Sequence, residues 1–407
     1  MKLLHTSDWH LGRGFHGADL RETQLEMMRT VCTAVTEHQV DVVLVSGDVF
    51  DRALPPEWAV RELGACLRQI REAGALVVMT SGNHDSAVRL GFNRELVAHS
   101  GVHIRSGLED AWTPVEVTSH QERVLIYGVP YLEPQIYAAE LGLDRAHHSA
   151  VMSEVVRRIR ADVAARTDPE HDAAPRVIVM AHLFAHRGQA SESERSIGAP
   201  AVPEATLEHH QNSVGGLAVV PLEIFEGFDY VALGHLHGRQ RLADRIRYSG
   251  SPLRYSFSEE HHHKGAWLVD TQALQDPAAA VTAVDWSLGR EVARLQGTLE
   301  TMLAPETVQA HQEAFVQITL TDDERPARAY HRLSEAYPLL MQYRYAGRGL
   351  QQPEHSFSQR LHTAQSELEV VTGFLEHVRN RSATGEELAE VASALEAVRT
   401  TEAGEPA

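Results

Sequence analysis

Residues of the types that hold metals recur at one kind of place in this sequence, just past short apolar runs. They are Asp8 and His10, Asp48, Asn83, His182, and His235 with His237. One such coincidence means little. Asp48 alone reads equally as a metal ligand, a general base or the cap of a following helix. Two Asp, four His and one Asn gathered at one edge of one sheet are different, because so many polar groups do not cluster without a cation to satisfy them. Mixed carboxylate, imidazole and amide oxygen without thiolate suits Mn, Fe or Zn and disfavours a thiolate-rich structural zinc site. Seven ligands exceed what one transition ion takes from side chains. Two ions sharing a bridging carboxylate is the economical count. Two ions roughly 3.5–4 Å apart can activate water and clamp both oxygens of an in-line phosphoryl displacement.

The elements that must position these groups are short strands. Asp41–Asp51 reads D-V-V-L-V-S-G-D-V-F-D, and its unbroken run Val42 to Val45 has the composition of a strand buried on both faces. In open α/β sheets the carboxyl ends of such strands surround the ligand crevice, which is where Asp48 falls. Leu3 to Thr6, Leu76 to Met79, Val177 to Met180 and Tyr230 to Leu233 are further runs of this kind. They lead into Ser7-Asp8-Trp9-His10, Gly82-Asn83-His84-Asp85, His182 and Gly234-His235-Leu236-His237. Helical spacing separates the first three runs, over Leu20 to His38 and over Glu57 to about Glu72. Strands joined through helices at intervals of roughly 35 residues are the βαβ signature. A helical stretch to about His99 follows, then strands at 102–104, 115–117 and 124–129, and a long helical stretch with loops through Ala165. Gly265 to Asp270 reads as a closing strand, and 166–175 and 188–203 as surface segments.

Composition narrows the class. At 407 residues the chain is long enough for two or three domains. A net charge of −19 argues against coating nucleic acid by charge alone, although a local cation site reverses the field where it sits. No stretch approaches the roughly 20 apolar residues of a membrane span. Only Cys32 and Cys66 occur, both in helix-like segments, so disulfides are not expected to hold the fold. A reduced, cytoplasmic globular protein is the expectation.

In order and spacing, D-W-H at 8–10, G-D-V-F-D at 47–51, G-N-H-D at 82–85, the lone His182 and G-H-L-H at 234–237 resemble the motifs of calcineurin-like metallophosphoesterases. Ser193-Glu194-Arg195, Val214-Gly215-Gly216, Tyr248 to Leu253 and His263-Lys264-Gly265 further resemble the SbcD family, the nuclease subunits of bacterial SbcCD-type complexes. The resemblance covers about residues 1–270 closely and the rest loosely. It implies an α/β fold, a sandwich of sheets flanked by helices, with a small α+β capping domain and a C-terminal helical segment. The expected spans are 1–275 for the nuclease domain, 276–346 for the DNA-binding cap and 354–402 for a segment that binds an SbcC-type ATPase.

Carried over residue by residue, the resemblance gives one divalent ion Asp8, His10, Asp48 and His237. It gives the other Asp48, Asn83, His182 and His235, with Mn2+ the expected metal and Asp48 bridging. His84 is then not a ligand but the group that contacts the scissile phosphate and assists the leaving oxygen, oriented by Asp85. Asp51 stands where archaeal relatives have a His, so it is read as supporting the ligands or as a turn residue. Arg13, Arg52, Arg89 and Arg187 lie in loops near the motifs and are candidates for phosphate contacts. The implied function is a Mn-dependent DNA nuclease, exonuclease and endonuclease, acting on ends and hairpins in nucleoid-associated repair, recombination and replication. A homodimer through helices near 57–72 and 89–99, within a heterotetramer, and no membrane, complete the picture. A phosphomonoesterase or protein phosphatase on the same site, and a non-catalytic DNA-end scaffold, are the rivals.

Several features are set aside or assigned elsewhere. His261-His262-His263 and His209-His210 read as loop histidines, and Trp9 and Trp267 as core. No G-x-x-x-x-G-K-[ST] occurs, so ATP is expected to act through a separate subunit. Leu361, Ala364, Leu368, Val371, Leu375 and Val378 share one helical face. Leu388, Val391, Leu395 and Val398 continue the spacing behind a Thr384/Glu387 capping box. From 351 onward the sequence has ten Glu against four Arg and no Lys, a composition for a protein partner rather than for DNA.

Overall fold

Val42–Ser46 is a strand buried at every position. Each fully buried Val or Leu is worth about 1.5–3 kcal/mol, so four in succession favour the centre of a sheet over any exposed alternative. In the computed structural model, residues 1–119, 122–167, 174–191, 213–214, 217–347, 366, 368–372 and 383–402 are described, without the side chains of 213–214, 217–218 and 396–402. The residues 193–195, 209–210, 215–216, 361, 364, 375 and 378 singled out above lie outside that set.

In chain order the strands are β1 (Lys2–Thr6), β2 (Val42–Ser46), β3 (Leu76–Thr80), β4 (Val102–Arg105), β5 (Val115–Thr118) and β6 (Arg123–Val129). Then come β7 (Arg176–His182), β8 (Ser213–Val214), β9 (Leu217–Ala218), β10 (Tyr230–Gly234), β11 (Gln240–Arg241) and β12 (Ile246–Tyr248). The last are β13 (Gly265–Asp270), β14 (Val281–Asp285), β15 (Val292–Gly297), β16 (Phe315–Leu320) and β17 (Leu340–Tyr345).

The unit Met1–Arg290 holds two six-stranded sheets. One runs β14-β13-β1-β2-β3-β4, with β1 to β4 parallel, β13 antiparallel to β1 and β14 antiparallel to β13. The other runs β11-β12-β10-β7-β6-β5, parallel except for its two edge strands. The runs that lead to the candidate ligands therefore do not share one sheet. β1, β2 and β3 belong to the first sheet, and β7 and β10 to the second. A doubly buried parallel strand has the same composition in either sheet, which is why the partition was not legible in the runs themselves.

Between the sheets lies a core of Leu3, Val42, Leu44, Val78, Ile126, Ile178, Met180, Tyr230 and others. Helix His148–Arg166 covers the outer face of the second sheet with Val151, Val155, Val156 and Ile159. Helices Arg21–His38 and Glu57–Glu72 pack on each other and bury Met27, Val31, Leu63 and Ile70. Cys32 and Cys66 meet there as free thiols, their Sγ atoms 3.7 Å apart. Trp9 is fully buried, while Trp267 is partly buried with the guanidinium groups of Arg239 and Arg247 over its ring at 5.2 and 4.5 Å. His261 is exposed.

The unit Glu291–Ala407 has its own parallel sheet, β15-β16-β17, and a core of Leu299, Met302, Val316, Ile318, Leu320, Leu333 and Tyr337. β14, placed above with the small domain, instead pairs with β13 along five residues, so the first unit ends near residue 290 rather than 275. The capping box forms: Thr384 N–H donates to Glu387 Oε2 at 2.8 Å, and Glu387 N–H donates to Thr384 Oγ1 at 3.3 Å. Helix Gly385–Glu402 follows it. Among the described residues, no helix is long and apolar enough to cross a membrane.

Candidate metal centre

The carboxyl ends of β1, β2, β3, β7 and β10 converge, and the backbone there is held in conformations that L residues seldom adopt. Asp8, His10, Asp48 and His235 have φ of 54°, 44°, 50° and 105°. Such residues cost on the order of 1–3 kcal/mol each and persist only when their surroundings hold them. Backbone hydrogen bonds of 3.0 Å lace the β1 and β2 loops together, from Asp8 N to Gly47 O, His10 N to Asp48 O and Leu11 N to Val49 O. The buried Gln24 adds to this, donating to His10 O at 2.9 Å and accepting from Gly12 N at 3.0 Å. Between the sheets the approach is so close at Gly234 that a Cβ there would lie 1.9 Å from Ser46 O.

All seven predicted ligands come together. Asp8, His10, Asp48, His182 and His237 are buried. Ligand atoms of Asp8, His10 and His237 lie within 4.8 Å of one another, as do those of Asp8, Asp48 and His182. Asp48 Oδ2 is 3.3 Å from His182 Nε2 and 3.7 Å from His10 Nε2, so one carboxylate faces both groups. Asn83 Oδ1 is 3.0 Å from His182 Nε2 and 3.1 Å from His235 Nδ1. Asp8 accepts from His235 N–H at 3.1 and 3.2 Å and from the Ser7 hydroxyl.

The donor set fits cations. Nε2 of His10 and Nε2 of His237 face each other at 3.1 Å, and the buried His10 Nδ1 has no hydrogen-bond partner. Burial holds His10 well below the ordinary imidazole range, and burial with the neighbouring His182 lowers His235 to about 3. Both rings are thus neutral, as ligands must be. Burial pushes the Asp48 carboxyl up, but His182, His10 and His84 outweigh it and hold it well below the usual value. Asp8 is raised to about 6, chiefly by burial. Burial lowers His182, but Asp48 reverses this and raises it to about 9.

His84 stands beside the candidate ligands, its ring edge-on to His10 with centroids 4.8 Å apart. Its N–H donates to Asp48 Oδ1 at 2.9 Å, and its Nδ1 is 2.8 Å from Asp51 O. The ring of His84 thus rests on a backbone carbonyl. The Asp85 carboxylate accepts instead from Val49 N, Phe50 N and Gly82 N at 3.0, 2.8 and 2.9 Å, bracing the β2 and β3 loops against each other. Burial, then the nearby Asp48 charge, raises Asp85 to about 6. Asp51 joins the centre through its side chain as well, at 3.8 Å from His10 Nδ1 and 3.7 Å from Arg13 Nη1.

The four predicted arginines divide. Arg13 is at the site, paired with Asp51 and lying 5.3 Å over the Tyr255 ring. Arg52 is largely exposed beside Asp51 at 3.5 Å. Arg89 is exposed and donates to Ala53 O at 2.9 Å, and Arg187 is exposed on the turn five residues beyond His182. Glu259, which sequence reasoning missed, reaches the centre from a short turn of helix: its Oε1 is 2.9 Å from His237 Nδ1. Only its neighbourhood to His263-Lys264-Gly265 could have signalled it.

Comparison with known proteins identifies the family. The family model for the calcineurin-like phosphoesterases matches residues 1–239, and one described as the type 5 capsule protein repressor C-terminal domain matches 289–379. The chain is 26% identical over 343 residues to a protein of Staphylococcus epidermidis named as the SbcD component of the nuclease SbcCD, covering 84% of each. Among solved structures it is similar to TT1561 of Thermus thermophilus, at 14% identity and TM-score 0.38, over 70% of this chain and 98% of that one. A dimetal phosphatase from Danio rerio is similar at 13% identity and TM-score 0.37, over 66% and 91%. One family model spans more than half of the chain and takes in all seven converging side chains, so the chain belongs to the calcineurin-like phosphoesterase family.

Proposed function

We propose that this chain is the Mn-dependent nuclease subunit of an SbcCD-type complex, cleaving DNA phosphodiesters at ends and hairpins in repair, recombination and replication. The observation that carries this reading is the 26% identity to the staphylococcal subunit, which extends over 84% of both chains and so beyond the shared catalytic domain. Mn2+-dependent cleavage of duplex DNA by the purified chain tests it.

Asp8, His10, Asp48 and His237 would hold one ion, and Asp48, Asn83, His182 and His235 the other. Two such ions supply charge neutralisation and water activation at the phosphate. The chain's own residues do the rest. His84, with Nδ1 fixed on Asp51 O, presents Nε2 as the proton donor to the leaving oxygen. Asp85 keeps the His84 loop in place through the backbone amides that it binds. Arg13 is the arginine best placed to meet a phosphate, with Arg52, Arg89 and Arg187 farther out along the nucleic acid.

Two surfaces serve assembly in this reading. Leu54, Val60, Val88, Phe92 and Leu96 are 70, 51, 84, 74 and 68% exposed, on or within a few residues of the helices predicted to form a dimer. Exposed large apolar side chains on those helices suit an interaction surface. Phe92→Glu is expected to give a monomer in sedimentation with Mn2+ binding intact, and a variant that sediments as wild type would place the dimer contact elsewhere. The C-terminal segment, 354–402, is the docking element for the SbcC-type ATPase, which brings the nucleotide site that this sequence lacks. Deleting 355–407 is expected to spare Mn2+-dependent cleavage of single-stranded DNA and to end co-purification with that partner. Stoichiometric co-purification of the truncated chain would contradict it.

A further inference from the structure

Glu259 and Lys264 are an ion pair buried behind the metal centre, 0 and 5% exposed. Lys264 Nζ lies 2.6 Å from Glu259 Oε2, and donates to His237 O at 3.0 Å and Ser251 Oγ at 2.8 Å. Tyr255 N–H donates to the same carboxylate oxygen at 3.3 Å, and Ser251 Oγ lies 3.5 Å from it. The other oxygen, Oε1, is 2.9 Å from His237 Nδ1. Burying a carboxylate and an ammonium costs several kcal/mol per ion, and apolar residues of similar volume usually serve stability as well or better. Both members of this pair act on one residue. Lys264 holds the backbone of His237, and Glu259 holds its ring.

A carboxylate that accepts from Nδ1–H sets the tautomer and orientation of an imidazole and leaves the Nε2 lone pair free. In His237 that Nε2 faces His10 Nε2 at 3.1 Å, and a ring nitrogen of His237 lies within 4.8 Å of an Asp8 carboxylate oxygen. Resting on the two-ion reading above, we propose that Glu259, locked by Lys264, is a positioning residue that presents His237 Nε2 to the ion shared with Asp8, His10 and Asp48. Of the other ion's ligands, His182 is oriented separately, its Nδ1 held by Ser46 O at 2.9 Å.

The test is Mn2+ binding by equilibrium dialysis and calorimetry on the full chain, with thermal melting recorded alongside. Glu259→Gln strands the Lys264 charge, so Glu259→Gln/Lys264→Gln, which leaves a neutral pair, is measured with it. The double variant is expected to melt as a folded protein, to bind one Mn2+ like wild type, and to bind the other roughly 10–100-fold more weakly. Two sites of wild-type affinity in the folded double variant would overturn the inference. Equal weakening of both sites would overturn it too, since that marks a general structural role. A wild-type chain that holds fewer than two ions would overturn the two-ion reading and this inference together.

Discussion

Asp48→Asn is expected to abolish phosphodiester cleavage and to lower the Mn2+ content of the chain. A single oxygen of Asp48 faces both ligand groups, with Oδ2 at 3.3 Å from His182 Nε2 and 3.7 Å from His10 Nε2. The substitution removes a buried negative charge and turns an amide toward rings that must stay unprotonated to bind metal. A loss of several kcal/mol of transition-state stabilisation corresponds to a fall of roughly a thousandfold or more in kcat. Elemental analysis and single-turnover cleavage measure the two effects. Wild-type metal content with wild-type rate would remove Asp48 from its central place.

His84→Ala separates chemistry from binding. Its side chain is expected to supply a proton to the leaving oxygen, so its removal should slow cleavage by about 10²–10⁴-fold. The contact that His84 makes with Asp48 is through the backbone N–H, which an alanine retains, so the ligand cluster should stay as it is. Metal content near wild type is therefore expected. Because His84 also lies within ligand distance of His10 and Asp48, the measurement discriminates. Metal lost as fully as in Asp48→Asn would make His84 a ligand.

The convergence of the seven candidate ligands was legible because each follows a run whose composition announces a buried strand, and the turn after such a strand is where polar residues with chemistry collect. The arrangement of those runs was not legible. β7 and β10 look like β2 and β3 in isolation, yet they build a second sheet. The small residue at Gly234 records how closely the two sheets meet, a contact between residues far apart in the chain. β14 reads as the start of a new domain until its pairing with β13 is seen. Glu259 escaped for the same reason: a carboxylate in a polar loop acquires meaning only from the histidine it faces, here 22 residues earlier. The role of Asp51 was likewise half visible, because what holds His84 is a backbone carbonyl, which no side-chain type can reveal.

The most direct test of the account is cleavage of end-labelled duplex DNA by the purified chain in Mn2+, with p-nitrophenyl phosphate as a parallel substrate and the Asp48→Asn chain as control. The expected result is metal-dependent shortening of the DNA that disappears with chelator and in the control. Turnover of the monoester beside intact DNA, or DNA that is bound and left uncut, would contradict the assignment of this centre to a nuclease.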